Sequence, residues 1–404
     1  MLLAESHPDA KQVKRQKIVV IGGGAIGSAV ASFTLGNPGF SGEVTVIERD
    51  PAYTRASSAL SASSIRQQFS SPINIQLSLF GIEFLRHADG LLEAGGERPD
   101  VGLKEPGYLF LATSAGAAIL EENHRLQRAY GADVVLLEPA ALRQRFPWLS
   151  TEGIALGSLG LSGEGWFDGY SLLQGLKRKA RSLGAKYLAA EACGFECEGE
   201  AIRAVRLADG SAVPCDIVVN AAGPWAREPA TWLGIDLPVR ARRRSIFVVS
   251  CPDRIEGAPL VIDPSGVFFR PEGEHRFICG TSPDAAHDPD DQPLELEHAM
   301  FEDIVWPALA ARVPAFEALR QTGGWAGYYE YNTFDQNGIV GFHPGVRNLI
   351  FANGFSGHGI QQSPAVGRGV AELIVHGGYR SIDLSPLAFE RIAANRPLIE
   401  RNVV

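Results

Sequence analysis

Short runs of β-branched residues alternate with segments of helical periodicity along much of the chain. Residues 18–21 form the first run and predict a buried strand, residues 25–35 predict a helix, and residues 44–47 predict the next strand. Apolar residues at helical spacing return after Pro72 and again from Leu172 onward. This alternation of strand and helix is typical of α/β proteins.

Other regions contain strands with few helices between them. A hairpin is predicted from residues 201–207 and 212–219, which flank the turn signal Asp209–Gly210. The last strand and helix are predicted at residues 349–353 and 361–376. The strands predicted elsewhere are residues 107–112, 239–250, 266–270, 276–280 and 325–331.

The turn after the first strand has the glycine spacing of a dinucleotide-binding site. Gly22 permits the tight turn, Gly24 lets a pyrophosphate approach the backbone, and Gly27 lets the helix pack close to the sheet. The helix N-terminus then points its N–H groups at the phosphates. Glu48 ends the second strand, where a carboxylate binds ribose hydroxyls and disfavours NADP. These residues alone do not separate FAD from NAD.

A second glycine-rich turn between a strand and a helix lies at residues 354–359. The N–H groups at the start of its helix also need hydrogen-bond acceptors. Ser356 and His358 only partly match a hydrolase nucleophile elbow, because that pattern needs glycine at position 358. The pattern therefore does not support an acyl-transfer role for this turn.

Composition narrows the class of protein. The chain has 404 residues, 45% hydrophobic and 21% charged, which is enough for two domains at roughly 100 to 200 residues each. Its net charge of -9 argues against a nucleic-acid partner. No apolar run approaches the roughly 20 residues of a transmembrane segment, and residues 1–17 lack the apolar segment of a secretory signal. We expect a cytoplasmic protein with a disordered N-terminal lead-in.

Cysteines and charge clusters add little chemistry. The five cysteines are expected to be reduced core residues, and Cys193 and Cys197 have no second pair nearby that would make a metal site. Three consecutive arginines at residues 242–244 lie in a predicted strand and are expected to be solvated or ion-paired. The acidic loop 284–291 lacks calcium-loop spacing and is expected to be solvated surface.

From residue 18 to about residue 389 the chain resembles the FAD-dependent amine and amino-acid oxidoreductases of the D-amino-acid oxidase superfamily. The most specific segments are residues 218–225, VVNAAGPW, and residues 354–359, GFSGHG. The sarcosine oxidase and dimethylglycine dehydrogenase branch is the most similar part of that superfamily. Residues 328–338 are especially similar to its subgroup of FAD-dependent oxidoreductase-domain proteins, whose substrates are poorly defined.

The resemblance implies a discontinuous, Rossmann-like FAD-binding domain made of residues 15–95, 162–238 and 338–395. Residues 96–161 and 239–337 would form a substrate domain with a mainly antiparallel sheet over the flavin. Together with the strand and helix pattern, this places the chain in the α/β class, α+β overall.

The resemblance also implies which residues hold FAD. The turn at residues 357–361 would lie at the pyrimidine end of the isoalloxazine, where N–H donors stabilise negative charge. Ala192 would contact adenine through its backbone, and residues 221–223 would lie along the pyrophosphate. The full expected set of contacts is Gly22, Gly24, Ala25, Ile26, Gly27, Glu48, Arg49, Ser57, Ser58, Ser64, Ala192, Ala221, Ala222, Gly223, Trp225, Gly327, Gly354, Ser356, Gly357, His358, Gly359, Ile360 and Gln361.

Three positions depart from the family pattern. Gln361 stands where sarcosine oxidases carry a lysine that is important for reaction with oxygen, so a quinone or an electron-transfer protein is the expected acceptor. Ala326 aligns with the cysteine that tethers flavin in monomeric sarcosine oxidases, and Leu60 lies near the tethering histidine of dimethylglycine dehydrogenases. Neither can form the bond, so FAD is expected to be non-covalent.

For the substrate, Arg66 matches the arginine that binds the carboxylate in the similar oxidases. A planar guanidinium gives bidentate geometry to a carboxylate; the alternative for Arg66 is an ordinary ion pair. Tyr328 is either a residue on the substrate side of the flavin or a core aromatic, and His358 is either a flavin contact or a turn residue. These three residues and Gln361 form the expected catalytic set.

The sequence therefore predicts a flavoprotein that oxidises the C–N bond of an amino acid or N-alkyl amino acid, a small carboxylate-bearing amine, by hydride transfer to flavin N5. It is expected to act as a dehydrogenase, and no strong general base is evident. The alternatives are oxidation of a 2-hydroxy acid, an NAD dehydrogenase, in which the C-terminal turn has no role, and a flavin-bearing assembly or scaffold protein with little turnover.

Overall fold

The computed structural model of the chain describes residues 15–401. Most of the expected N-terminal lead-in lies outside this range. Residues 16 and 17 belong to the first strand, so the expectation of disorder is wrong for them.

The strands are β1 (Gln16–Ile21), β2 (Gly42–Glu48), β3 (Ser64–Ile65), β4 (Tyr108–Ala112), β5 (Val134–Leu137), β6 (Leu156–Gly160), β7 (Gly165–Trp166), β8 (Lys186–Ala189), β9 (Ala192–Glu198), β10 (Ala201–Leu207), β11 (Ala212–Pro214), β12 (Ile217–Asn220), β13 (Val239–Ser250), β14 (Leu260–Ile262), β15 (Phe268–Pro271), β16 (Arg276–Gly280), β17 (Arg320–Asn332), β18 (Ile339–His343) and β19 (Val346–Asn353). The α-helices are α1 (Ala25–Gly36), α2 (Ser57–Leu60), α3 (Pro72–Arg86), α4 (Ala88–Leu91), α5 (Ser114–Ala129), α6 (Pro139–Arg145), α7 (Gly169–Ser182), α8 (Arg227–Thr231), α9 (His298–Met300), α10 (Trp306–Arg312), α11 (Gly359–His376) and α12 (Glu390–Ala393).

The first sheet has six strands in the order β18, β19, β12, β1, β2 and β8. All of its pairs are parallel except β18 with β19. Residues 18–21 of β1 are buried in its centre, as expected for a β-branched run in a sheet covered on both faces. α1 and α11 approach each other closely, because a Cβ on Gly367 would lie only 2.5 Å from the Cβ of Ala29. The predicted Rossmann-like arrangement is confirmed.

The second large sheet has eight strands in the order β17, β13, β16, β15, β14, β4, β6 and β5. Its pairs are antiparallel except β14 with β4. The longest ladder joins β13 to β17, with Val239 opposite Asn332 and Ser250 opposite Arg320. A separate apolar core that includes Phe247, Phe269 and Phe316 packs on this sheet, so the predicted mainly antiparallel second sheet is also confirmed.

The predicted strand at residues 212–219 is two strands. β11 pairs with β10 in a small three-stranded sheet, whereas β12 pairs with β1 in the six-stranded sheet. The chain crosses between them at Cys215, whose N–H still bonds Arg203 O, and Asp216, whose N–H bonds Lys17 O. The apolar pattern does not reveal this change of partner, because the partner of each strand is set by tertiary structure.

The cysteines fall into two groups. Cys215, Cys251 and Cys279 are buried, as predicted, whereas Cys193 and Cys197 are exposed on β9. The expectation of five core cysteines is therefore wrong for these two residues. Both lie on β9, which is an edge strand of the three-stranded sheet.

The six-stranded sheet draws its strands from the three segments assigned to the first domain, and the eight-stranded sheet draws its strands from the other two. The domain boundaries themselves stay a prediction. Within residues 15–401, no helix combines the length and the apolar character needed to cross a bilayer.

Candidate active site

A cavity of about 560 Å³ is lined by residues from both large sheets. The six-stranded sheet contributes the turns that follow β1, β2 and β12, and the eight-stranded sheet contributes β13, β15 and β17. The rest of the lining comes from the first turn of α11 and from residues 54–58, 60–64, 190–192, 228, 229 and 232. The two glycine-rich turns that the sequence singles out therefore face the same space.

The first of these turns is held in place by backbone contacts. Gly22 has φ +99°, and a Cβ there would collide with the carbonyl of Ala221 in the turn after β12. A Cβ on Gly27 would collide with the carbonyl oxygen of Gly22, which is the close approach of helix to strand that the spacing predicts. Neither position accepts a side chain, so the spacing is a steric requirement of this turn.

The start of α1 is suited to an anion. Its N-cap is Gly24, which has no side chain to accept a hydrogen bond from the first turn. The N–H of Ala25 donates to Ser58 Oγ at 3.1 Å. Glu48 lies beside this turn, and its carboxylate accepts from the N–H groups of Gly23 and Asp50, both at 2.8 Å. The N–H groups and the glycine N-cap fit a pyrophosphate, and Glu48 is held at the edge where a ribose is expected.

The second turn is fixed to β17. Ser356 has φ +48°, its N–H donates to Glu330 O at 3.1 Å, and its Oγ accepts from Asn332 N at 2.9 Å. A Cβ on Gly357 would lie 2.6 Å from the ring of Tyr329. The N-cap of α11 is His358, whose side chain makes no cap hydrogen bond. A second helix N-terminus is thus presented at the cavity.

The wall near β9 and the turn after β12 is built from aromatic and charged side chains. The Arg49 guanidinium lies 4.3 Å from the ring centroid of Trp225 and 3.6 Å from Glu191. Arg55 lies 5.5 Å from the same ring. Ala192 lines the same cavity, which is where the expected adenine contact would be made.

Arg244 on β13 is a cavity residue that the sequence reasoning did not single out. It is 6% exposed, and its two terminal nitrogens bind the Asp288 carboxylate at 2.8 and 2.9 Å. Its Nε is buried and has no acceptor among the described residues. The guanidinium carbon lies 4.9 Å from the ring centroid of Tyr329, which also lines the cavity.

The acidic loop at residues 284–291 supplies Asp288, and the prediction that this loop is only solvated surface is wrong. Asp288 is buried and also pairs with Arg242 at 3.1 Å, while Arg243 pairs with Glu297 at 2.9 Å. The predicted ion pairing of the three arginines is confirmed. In the sequence, residues 242–244 and 284–291 carry opposite charges, but opposite charge alone does not predict that two distant segments are in contact.

Glu330 on β17 is the second cavity residue that was missed. It is 8% exposed, and its Oε2 accepts from Gly354 N at 3.1 Å. Burial raises the pKa of Glu330 to about 7, against the opposing effect of backbone hydrogen bonds from Gly354 and Phe355. The cavity therefore contains a carboxyl group that exchanges a proton near neutral pH.

Three of the four expected catalytic residues form a buried cluster that does not contribute to the cavity lining. The Arg66 guanidinium donates to Gln68 O and lies 4.1 Å from the ring centroid of Phe69. His358 Nε2 is 3.1 Å from Arg66 Nη2. Gln361 Oε1 accepts from the Arg66 N–H at 2.9 Å. The structure brings these three residues together, but beside the cavity, so their contact with substrate or cofactor stays a prediction.

Tyr328, the fourth, lies in the cavity lining. Its hydroxyl donates to Gln292 O at 2.6 Å, and its ring is edge-on to Trp225 at 5.9 Å. In the β13–β17 ladder Arg244 lies opposite Gly327, so Tyr329 shares the face of Arg244, and Tyr328 points to the other face.

The two positions aligned with covalent flavin attachment lie close together. A Cβ on Gly327, the neighbour of Ala326, would lie 3.0 Å from the Cβ of Leu60. Trp325 Nε1 donates to Leu60 O at 2.8 Å. Among the described residues that line the cavity there is neither a cysteine nor a histidine.

Most of the expected cofactor contacts share the cavity. Ser57, whose Oγ donates to Tyr328 O, and Ser64, whose Oγ is 3.2 Å from Tyr108 Oη, belong to it. The expected residues that line it are Gly22, Gly24, Ala25, Ile26, Glu48, Arg49, Ser57, Ser58, Ser64, Ala192, Ala221, Ala222, Gly223, Trp225, Gly327, Gly357, Gly359 and Ile360. Those outside the lining are Gly27, Gly354, Ser356, His358 and Gln361. Which of them touch FAD stays a prediction.

A parallel sheet with a glycine-rich turn, a mainly antiparallel second sheet and a cavity that receives two helix N-termini are the features of a dinucleotide-binding protein. The chain matches the FAD dependent oxidoreductase family over residues 17–373, and it belongs to that family. FAD is therefore its cofactor.

Individual relatives agree with this family. FAD-dependent oxidoreductase domain-containing protein 1 of Xenopus laevis is 44% identical over 97% of this chain and 85% of that protein. Mitochondrial dimethylglycine dehydrogenase of Rattus norvegicus is 27% identical over 95% of this chain and 46% of that protein. The crystal structure of L-proline dehydrogenase from P. horikoshii has a TM-score of 0.83 and 26% identity, covering 95% of this chain and 99% of that chain. The chain is thus related to amino-acid oxidising enzymes.

Proposed function

We propose that this protein oxidises the C–N bond of an amino acid or N-alkyl amino acid by hydride transfer to FAD held in the cavity. The observation that carries the proposal is one continuous cavity. It joins the dinucleotide turn at Gly22 to a wall that presents Arg244 and Tyr329. Related proteins named for L-proline and dimethylglycine, both amines that carry a carboxylate, support this class of substrate.

The donor groups of the cavity fit FAD at both ends. The bare N-cap at Gly24 suits the pyrophosphate, Glu48 suits a ribose, and the start of α11 suits the pyrimidine ring. When bound, FAD supplies the acceptor for the hydride. We propose that it is held without a covalent bond, since the alignment puts Ala326 and Leu60 at the attachment positions.

We propose Arg244 as the residue that anchors the substrate carboxylate. Arg66 is the family's match. Both guanidinium groups have partners, Gln68 O and His358 for Arg66 and Asp288 for Arg244, but of the two arginines it is Arg244 that lines the cavity. Arg244 lines the cavity and has a buried Nε–H with no acceptor among the described residues. A buried donor without a partner costs about 1–3 kcal/mol, which a substrate oxygen would recover.

Tyr329 would complete this subsite. Its ring packs against the Arg244 guanidinium, and burial raises the pKa of its hydroxyl. The hydroxyl therefore stays a donor at neutral pH. Ile246 and Phe268 form apolar walls beside these groups and would exclude water from the bound substrate.

We propose that electrons leave to an acceptor other than oxygen. Gln361 stands where oxidases of the similar branch carry lysine. The Gln361 side chain is uncharged, and its Oε1 accepts from the backbone N–H of Arg66 and from Ser78 Oγ, away from the cavity lining. It therefore brings no positive charge to the cavity.

A dye-linked assay with matched compounds tests the proposal. The three compounds are an N-methyl amino acid, the 2-hydroxy acid of the same carbon skeleton, and the amine that lacks the carboxylate. We expect turnover of the first alone, because only it has both the oxidisable C–N bond and the anchor. Hydrolysis of the imine releases methylamine when the hydride leaves Cα, and formaldehyde when it leaves the N-methyl carbon. Turnover of the hydroxy acid alone would favour hydroxy-acid oxidation. If the FAD-loaded protein turned over none of the three compounds and none of a broader panel of amines and hydroxy acids, a scaffold role would be favoured.

A further inference from the structure

Glu330 lies at the junction of the two large sheets. A Cβ on Gly359, the first residue of α11, would lie 2.8 Å from Glu330 Oε1, and a Cβ on Gly223 would lie 3.9 Å from Oε2. The carboxyl group is therefore between the turn after β12 and the N-terminus of α11, and it lines the cavity. Because positions 223 and 359 are glycines, no side chain from either position separates the Glu330 carboxyl group from a ligand in the cavity.

The charged groups on the neighbouring elements are engaged elsewhere. Across β13 from Glu330 is Ala241, and the arginines on either side of it point to the other face, where they pair with Asp290 and Asp288. On the turn before α11, His358 lies against the Arg66 guanidinium. On β17 itself, the adjacent side chains are tyrosines 329 and 331, which point to the face opposite Glu330. The groups bonded to the Glu330 carboxylate are uncharged backbone N–H groups.

We propose that Glu330 is a proton acceptor coupled to reduction of FAD. Two electrons and one proton reach the flavin as a hydride and add one negative charge to the cavity. The Glu330 carboxylate then binds one proton from solvent, so that its own negative charge is removed when the new one arrives. No bond other than the carboxyl O–H forms in this second step, and no electrons move in it.

The physical reason is repulsion between like charges in a space with little water. A second negative charge beside a buried carboxylate raises the pKa of that carboxyl group further. The pKa of Glu330 is already about 7 because of burial, so the group is largely ionised just above neutral pH before reduction. It takes up the proton in that range after reduction. This inference rests on the proposed position of the flavin ring next to α11.

Glu164 provides a matched control. Burial raises the pKa of Glu164 to about 7 as well, but this residue bonds Gln67 N and Gln68 Nε2 and does not line the cavity. A Glu330→Gln substitution removes the titrating group at the cavity, whereas Glu164→Gln removes one of similar pKa away from it.

The test is the reduction potential of bound FAD, measured by absorbance against reference dyes between pH 7.5 and 9 in the wild type and both variants. If one proton is taken up per two electrons, the reduction equilibrium changes tenfold per pH unit, and the reduction potential falls by about 30 mV. If two protons are taken up, the equilibrium changes a hundredfold and the potential falls by about 60 mV per pH unit. We expect the steeper dependence in the wild type and in Glu164→Gln, and the shallower one in Glu330→Gln. Equal slopes in all three proteins would overturn the inference.

The wild type alone gives a second measurement if Glu330→Gln does not fold or bind FAD. Its slope should steepen as the pH rises past about 7, the pKa of Glu330 before reduction. A constant slope, or one that becomes shallower with rising pH as for protonation of the reduced flavin itself, would contradict the coupling. A protein that binds FAD but shows no coupling leaves the proposed function intact, whereas a protein that binds no FAD contradicts both.

Discussion

Arg66 Nη2 lies 3.1 Å from His358 Nε2, and both side chains are buried. A guanidinium only donates hydrogen bonds, so Nε2 of His358 must be the acceptor and the ring is neutral with its proton on Nδ1. Burial, and then the charge of Arg66, hold the pKa of His358 well below its usual range. His358, the N-cap residue of α11, is thus a neutral hydrogen-bond acceptor for the buried Arg66 guanidinium.

His358 should therefore make the fold sensitive to acid. In the unfolded chain it titrates near roughly pH 6.5, whereas in the folded protein it stays neutral. At His358 the unfolded state binds more protons below that pH, so the contribution of this residue to stability falls as the pH drops through this range. By pH 5.5 this contribution should reach about 1.4 kcal/mol.

The matched variant is His358→Gln, whose amide oxygen accepts from Arg66 and does not titrate. We expect the free energy of unfolding of the wild type to fall relative to that of the variant between pH 7.5 and 5.5, as measured by denaturant titration. A parallel change in the two proteins would contradict a neutral, buried His358. The ring resonances in a two-dimensional NMR spectrum give the tautomer directly.

The turn at Gly22 predicts a second outcome. Alanine at a positive φ costs about 1–2 kcal/mol, and at Gly22 a Cβ also meets the carbonyl of Ala221, with the carbonyl carbon 2.7 Å away. Gly184 has φ +104° and open space around its Cβ position. Gly184→Ala therefore measures the backbone cost alone.

We expect Gly184→Ala to lower stability by about 1–2 kcal/mol and to keep its affinity for FAD. Gly22→Ala should lose considerably more stability and bind FAD at least tenfold more weakly, as measured by quenching of flavin fluorescence. If the two variants behaved alike, the close packing of the turns after β1 and β12 would not matter for cofactor binding.

The sequence anticipates the fold and the cofactor end of the cavity better than the substrate end. Residues 18–21 and Gly22 are local signals: a strand and the turn next to it lie in one continuous segment. Arg244 and Asp288 are 44 positions apart, and their pairing depends on how the loop after β16 returns to β13. Glu330 was missed because its raised pKa comes from burial, which no pattern of neighbouring residues encodes. The break between β11 and β12 has the same origin, since the partner of each strand is set by tertiary structure.

The two arginines give a third prediction, about the substrate anchor. Arg244→Lys keeps the charge but removes the Nε–H and the fork that binds Asp288. We expect the KM for a carboxylate substrate to rise roughly 10- to 100-fold, the size of a lost hydrogen bond to a charged group. Arg66→Lys should change stability more than KM, because its contacts are with Gln68 O and His358.

Steady-state kinetics on both variants, with thermal unfolding as the control, separates these roles. An unchanged KM in Arg244→Lys together with a raised KM in Arg66→Lys would return the anchoring role to Arg66.

The acceptor gives a fourth prediction. Because Gln361 brings no positive charge to the cavity, we expect reduction of an artificial dye to be at least tenfold faster than production of hydrogen peroxide at the same substrate concentration. Both rates can be followed on one preparation in air-saturated buffer. Peroxide formation that keeps pace with dye reduction would show that the protein is an oxidase despite Gln361.

Above all, we propose that the FAD of this protein accepts a hydride from an amine that carries a carboxylate. The most direct measurement is anaerobic: the FAD-loaded protein is mixed with one equivalent of each compound in an amino-acid and N-alkyl amino-acid panel, and the flavin absorbance is followed. We expect at least one such amine to bleach the flavin with one substrate consumed per FAD, and the same amine without its carboxylate to do so at least tenfold more slowly. Bleaching by 2-hydroxy acids alone, or by no compound in either panel, would contradict this proposal.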